Sequence, residues 1–284
     1  MGVILMLLAS ASFATMSLFI KALGPEMPLE QLIFLRCLLA LPVLLVVLRV
    51  KERPLLVKAR RSLLVRTLFG IGAMHCFFYA LSHMPLADCV FIGRGQPLFI
   101  ALLAPVVLGE RAPRAAWLAI ATGLVGVILI MQPAMDAWPK AAWIALAGAL
   151  LGGGAQLMVR RLNRTDYPLV IVFNFTLLTC LATGLWALPH FAPLSGRQWL
   201  LTCGVALFSS LGQILMTTAY RKDQAPAVAA SSYSSVLLSV VFGYLFWGEI
   251  PQPLAWLGGG LIIAGGLLLV RSRFRMTTLN TSAG

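Results

Sequence analysis

Ten apolar stretches, each about as long as a bilayer's hydrocarbon core is thick, run the length of this 284-residue chain, separated by short charged or proline-bearing breaks. They fall at 2–23, 30–48, 62–82, 86–108, 114–132, 140–160, 168–189, 197–219, 225–246 and 251–271. At about 1.5 Å per residue, roughly 20 helical residues cross the hydrocarbon, and the breaks leave no room for a soluble domain. With 60% hydrophobic and 11% charged residues, the chain also lacks the polar surface that a water-facing globule requires. A closed barrel would show alternating segments of about ten residues with a polar lumen face, and nothing here alternates that way. The expected fold is an all-α integral membrane protein of ten transmembrane helices.

The first stretch has the length of a secretory signal, and Ala9-Ser10-Ala11 has small-residue spacing. No basic region precedes it and that site falls too early for cleavage, so it is read as a retained helix. Cys37, Cys76, Cys89, Cys180 and Cys203 all fall inside apolar stretches without a CxxC pair or a histidine cluster, which indicates neither a disulfide framework nor a metal site. No cofactor is expected.

The net charge of +13 could point to nucleic acid, so the placement of the 22 Lys and Arg residues decides its meaning. With the N-terminus cytoplasmic, seventeen of them, from Arg49 through Arg66, Arg111, Arg160 and Arg221 to Arg275, fall on the cytoplasmic side. Only Lys21, Lys140 and Arg197 fall opposite, and Arg36 and Arg94 lie inside spans. That asymmetry is the positive-inside rule, and it predicts a multi-pass protein of the inner (plasma) membrane with both termini cytoplasmic. The basicity is then explained by topology and anionic headgroups, with no nucleic-acid partner.

Sliding the chain by 139 residues places Gly109-Glu110 on Gly248-Glu249, Ala116-Trp117-Leu118 on Ala255-Trp256-Leu257, Gly126 on Gly265 and Lys21 on Arg160. Five helices is an odd number, so the second copy enters the membrane from the other side and the two copies are inverted. The predicted organisation is a first repeat at 1–137, a second at 138–272 and a cytoplasmic tail at 273–284. Two slightly different conformations of one pattern give outward-open and inward-open states of similar energy, which is alternating access.

The segment from Tyr79-Ala80-Leu81 to Ala87, then Pro97-Leu98-Phe99, Leu108-Gly109-Glu110-Arg111, Gly123 and Gly126, partly echoed in the second half, resembles the drug/metabolite transporter superfamily of EamA type over essentially the whole chain. The resemblance implies ten helices, both termini inside, a central cavity lined mainly by helices 1, 3, 4, 6, 8 and 9, and export of amino acids or other metabolites. Uptake members exist as well. The chain departs from the pattern at Gly93-Arg94-Gly95, where relatives carry neutral residues, and at Val236, which stands where the first half has Pro97.

Arg94 lies about 12 Å along its helix from Leu86, deep enough that an unpaired charge costs several kcal/mol. Gly93, Gly95 and Pro97 weaken the helix around it and make room for a ligand. It is read as binding an anionic group of the solute, against a structural pairing with Asp88 or a helix carbonyl. His75 shares a helix face with Tyr79; both are candidate cavity residues, and a histidine charge change near neutral pH suits proton coupling. Gln156 and Gln213 are amides on helices that the resemblance places at the cavity, whereas Asn174 is read as helix glue. Ser231, Ser235 and Ser239 form a polar stripe, with Tyr233 opposite Arg94 under the repeat. Asp88 is read as favoured by the helix dipole, and Arg36 as a snorkelling or carbonyl-bound structural residue. Gly148 and Gly152 are read as a packing motif.

None of the five lysines follows a glycine, so the phosphate loop of an ATP-driven pump is absent. His75, His83 and His190 are scattered, which disfavours an intramembrane enzyme. The expectation is a secondary transporter whose partners are the lipid bilayer and a small, amino-acid-sized, carboxylate-bearing solute, most simply an exporter. The alternatives are an uptake carrier for a vitamin or nucleoside-like metabolite, or a lipid-carrier flippase.

Overall fold

A computed structural model describes residues 1–24, 27–96, 98–100, 102–103, 114–131, 140–222, 231–232 and 234–281. Its α-helices are α1 (Gly2–Leu23), α2 (Leu29–Val50), α3 (Arg60–His83), α4 (Leu86–Gly93), α5 (Arg114–Met131), α6 (Lys140–Leu162), α7 (Pro168–Ala187), α8 (Gly196–Lys222), α9 (Ser234–Trp247) and α10 (Pro253–Thr281), with a 3₁₀ turn at Leu188–His190. Among the described residues six of these, α1, α2, α3, α6, α7 and α8, are long and apolar enough to cross a membrane. Ser234–Trp247 and Pro253–Gly265 are shorter apolar helices.

Two boundaries differ from the sequence reading. The fourth span does not run unbroken: α4 stops at Gly93, Arg94 and Gly95 form a turn, and helix resumes at Gln96. In that turn the Gly95 N–H donates to the Ile92 carbonyl at 2.9 Å and the Leu98 N–H to that of Gly95 at 2.9 Å, a tighter winding than the α-helix. Helix α10 continues to Thr281, so the segment read as a tail from 273 is helical that far. The first part of the ninth span, 225–230, lies outside the described residues.

The packing follows the internal repeat. The most extensive helix pairs are α1 with α8, α3 with α6, α2 with α7 and α5 with α10. A shift of five helices converts α1·α8 into α6·α3 and leaves α2·α7 and α5·α10 pairing with themselves, as a twofold exchange of inverted halves requires. Smaller contacts obey the same rule, since α1·α9 has α4·α6 as its counterpart. The outer surface is apolar, with Leu68, Leu185, Leu200, Leu207 and Leu245 all exposed, as lipid-facing side chains would be.

Close approach depends on glycine. A Cβ on Gly126 of α5 would lie 2.4 Å from the Gly258 carbonyl of α10, and one on Gly148 of α6 would lie 2.9 Å from Cys76 Cβ of α3. The Gly148 and Gly152 motif is thus a packing surface, as its spacing suggests.

One end of the bundle is closed by a polar clasp over an apolar plug. Lys21, at the end of α1, forms an ion pair with Glu249, which follows α9, and also donates to the Met84 carbonyl at 3.0 Å. The other Glu249 oxygen accepts the Leu86 N–H at 3.0 Å, capping α4. Beneath this clasp Ile20, Leu81, Leu86 and Ile92 are completely buried. At the opposite end Asp166, between α6 and α7, accepts the Lys58 N–H at 2.7 Å, the Ala59 N–H at 3.4 Å and the Thr165 hydroxyl at 2.7 Å, tying the two repeats together. Burial alone would raise the Asp166 carboxyl, but these hydrogen bonds and the Lys58 charge outweigh it and hold it below the usual carboxylate range.

Three outcomes follow from this packing. Gly126→Ala will lower the Tm of the detergent-solubilised protein, by about 1–3 kcal/mol of overpacking, whereas Gly260→Ala, where no atom lies within 4 Å of an added Cβ, will not. Glu249→Gln will speed labelling of fully buried Cys89 by a soluble maleimide, read by peptide mass; an unchanged rate would mean the clasp does not hold that end shut. Because the Asp166 carboxyl is depressed in the fold, its contribution is present above about pH 4 and is lost as pH falls through its folded value. Thermal melts should therefore show wild type and Asp166→Asn converging on acidification.

Candidate functional site

The turn at Arg94 opens into a cavity of about 290 Å³ bounded by α1, α2, α3, α4, α6, α7, α8 and α9. Arg94 is the C-terminal cap of α4, and its Nη2 donates to the Ser235 hydroxyl of α9. One turn along α9, the buried Ser239 hydroxyl donates to the Ser235 carbonyl at 2.8 Å, so the serine stripe faces this cavity through two of its members. Gln96, the first residue after the turn, packs against Gly152 of α6, where an added Cβ would lie 2.8 Å from its amide nitrogen. Gln156, one turn beyond Gly152, and Gln213 of α8 also line the cavity.

Arg94, Gln156 and Gln213 are therefore brought together. His75 and Tyr79 are not: neither lines this cavity. His75 Nδ1 lies 2.9 Å from the Ile71 carbonyl, and the ring faces a separate pocket of about 430 Å³ shared with Glu30, Gln31 and His190 between α2, α3 and the end of α7. Tyr79 stacks on His83 with ring centroids 4.0 Å apart. The reason is rotational, because the face of α3 that carries His75 and Tyr79 differs from the one presenting Arg66, Ala73 and Phe77 inward. Tyr233 lies outside the described residues. Asn174 donates to the Leu55 carbonyl at 2.6 Å and the Val170 carbonyl at 2.8 Å, the glue its position suggested. Asp88 sits at the clasp, not in the cavity; its Oδ1 is buried without a hydrogen-bond partner, and it is not paired with Arg94 in an ion pair.

Two arginines in the cavity wall escape the sequence reading. Arg66, counted there with the cytoplasmic charges, is 9% exposed inside α3, and its guanidinium lies 3.6 Å over the Phe175 ring of α7. Arg36, expected to snorkel or bind carbonyls, is 7% exposed and instead lies against Met74 Sδ at 3.1 Å and Cys37 Sγ at 3.5 Å. Among the described residues Arg66 Nε and Nη1 and Arg36 Nε have no hydrogen-bond partner. A signal for Arg66 was present: it stands four residues before Gly70, whose missing side chain leaves room for the guanidinium to fold along the helix. A Cβ there would lie 2.5 Å from Arg66 Nη1. No carboxylate among the described residues lines the cavity, so three guanidinium groups face a space otherwise walled by phenylalanine, methionine, glutamine amides and small residues.

The comparisons with known proteins agree with this architecture. The EamA-like transporter family matches twice, at residues 1–132 and 139–271. The chain is 30% identical over 274 residues to a pseudopaline exporter of Pseudomonas aeruginosa, with 96% of each chain covered. It is also 30% identical over 213 residues to a riboflavin transporter of Rhizobium johnstonii, covering 75% of this chain and 70% of that one. A solved structure superposes with a TM-score of 0.64 at 20% identity, covering 96% of both chains, which shows the fold. With two family matches spanning the two five-helix halves, the chain belongs to the EamA-like transporter family, within the drug/metabolite transporter superfamily, and is a membrane transporter and not an enzyme.

Proposed function

We propose that this transporter is a secondary carrier that exports small carboxylate-bearing metabolites across the inner membrane by alternating access, with both termini in the cytoplasm. The observation that carries the reading is Arg94, a cation held at a helix break in the wall of a central cavity, where it donates to the Ser235 hydroxyl. Breaking the helix there exposes backbone groups and a guanidinium to a solute at the seam between the two repeats, where inverted-repeat carriers bind. In this orientation the clasp of Lys21 and Glu249 closes the periplasmic side, and binding proceeds from the cytoplasmic side.

The direction rests on the family membership together with the relative named a pseudopaline exporter. A second reading, uptake of a vitamin, draws on the relatives named riboflavin transporters and on the aromatic wall of Phe13, Phe77, Phe78 and Phe175. Counterflow in proteoliposomes distinguishes them. Preloaded vesicles offered labelled amino acids, organic acids and riboflavin should exchange the carboxylates, and Arg94→Ala should reduce that exchange by about tenfold to a hundredfold, the loss of a charge-assisted hydrogen bond. Wild-type exchange of riboflavin alone, or unaltered carboxylate exchange in the variant, would overturn the reading.

A further inference from the structure

Arg94 is not the only cation in the cavity wall, and the other two are held in a way that fold stability alone does not explain. Arg36 and Arg66 are each more than nine-tenths buried, lie near enough to repel one another, and leave guanidinium nitrogens without hydrogen-bond partners. A buried cation kept for structure is normally paired with a carboxylate or saturated by carbonyls. Here the neighbours are thioether and thiol sulfurs and a phenylalanine face, which accept weakly or not at all. The space is built: Gly70 has no Cβ where one would collide with both Arg66 and the Phe175 ring, so the guanidinium rests on the ring in the cavity wall.

Arg66 and Arg94 also lie at comparable depth. Gln96, two residues beyond Arg94, sits beside Gly152 of α6, and its neighbour Leu151 lies 3.0 Å from the Cβ position of Gly72. The Arg66 head group lies beside Gly70. Gly70 and Gly72 are about 3 Å apart along α3, so Arg66 and the Arg94 turn face the same cavity within roughly one helical turn of height.

We propose that Arg36 and Arg66 form a second anion subsite, so that the solute carried here is a compact organic molecule with at least two separated carboxylates, a di- or tricarboxylate on an apolar frame. One carboxylate lies at Arg94 and Ser235, another between Arg36 and Arg66, and the frame against Phe175 and Phe77. This rests on the carboxylate reading above. It adds that a monocarboxylate leaves the Arg36 and Arg66 charges uncompensated, and therefore binds poorly.

The test is binding to the purified full-length protein in detergent, by thermal shift and calorimetry, of two series with matched frames. These are benzoate, isophthalate and benzene-1,3,5-tricarboxylate, and butyrate, glutarate and tricarballylate; phenyl phosphate is added as a dianion carried on one group. Affinity should rise at least tenfold from the mono- to the dicarboxylate in each series, with phenyl phosphate binding like benzoate. Arg66→Gln and Arg36→Gln should abolish that rise while leaving monocarboxylate binding in place, and Arg94→Gln should weaken every member. Gly70→Ala, which displaces the Arg66 head without removing its charge, should also blunt the rise. Arg66→Lys, which keeps the charge, controls for misfolding by retaining part of it.

Equal affinities along each series, no binding by either series, or a dicarboxylate advantage that survives both glutamine variants would overturn the second subsite. So would phenyl phosphate binding as tightly as isophthalate. Loss of monocarboxylate binding in Arg94→Gln alongside equal affinities would refute the second subsite while sparing the carboxylate reading. Carboxylate binding indifferent to all three arginines would remove both.

Discussion

Positive charge inside a membrane-embedded cavity is the constraint on which this structure turns. A guanidinium taken out of water must find an anion or a dense set of acceptors, and bilayer hydrocarbon supplies neither. Arg36, Arg66 and Arg94 all face one cavity, and no described carboxylate lines it. The protein has opened α4 at Arg94 and Gly95 to bring one of them inward and has cleared Gly70 to seat another. For Arg36 and Arg66 such an arrangement costs stability in a static bundle, and on the proposed reading the compensating negative charge arrives with the solute.

The helices around that cavity come from both inverted halves. Inverted halves produce the exchange-symmetric packing in which α1 lies on α8 as α6 lies on α3, with the cavity at the seam. At one end the clasp joins α1, the start of α4 and the segment after α9 through Lys21 and Glu249, over completely buried aliphatic residues. The ion pair is partly solvated and few groups maintain it, so it holds a conformation without locking it. The glycine contacts let α5 and α10 pack closely against each other.

Much of this was legible in the sequence. Stretch length dictated helices, the 139-residue offset with Gly-Glu and Ala-Trp-Leu in both halves dictated inversion, and a lone arginine between glycines marked the break in α4. Gln156 and Gln213 were legible because amides stand out in apolar helices. The residues misread were those whose meaning depends on helix rotation and end positions. Arg66 follows Arg60 and Arg61 closely, so it is counted with a cytoplasmic charge cluster although the third span, read from 62, already contains it. His75 and Tyr79 do share a face, but a sequence spacing cannot say toward which neighbour that face turns. Arg36 was given the ordinary fate of an arginine one to two turns into a span, which fails because it is buried against Met74 of α3.

The most direct measurement is an experimental structure of the protein with 5-bromoisophthalate bound, locating the bromine by its anomalous signal. The account predicts a single bromine site inside the cavity, with one carboxylate within hydrogen-bond distance of the Arg94 guanidinium and the other within reach of Arg36 or Arg66. A bromine found only outside the bundle, or a cavity whose arginines turn to pair with protein carboxylates while the anion is excluded, would contradict it.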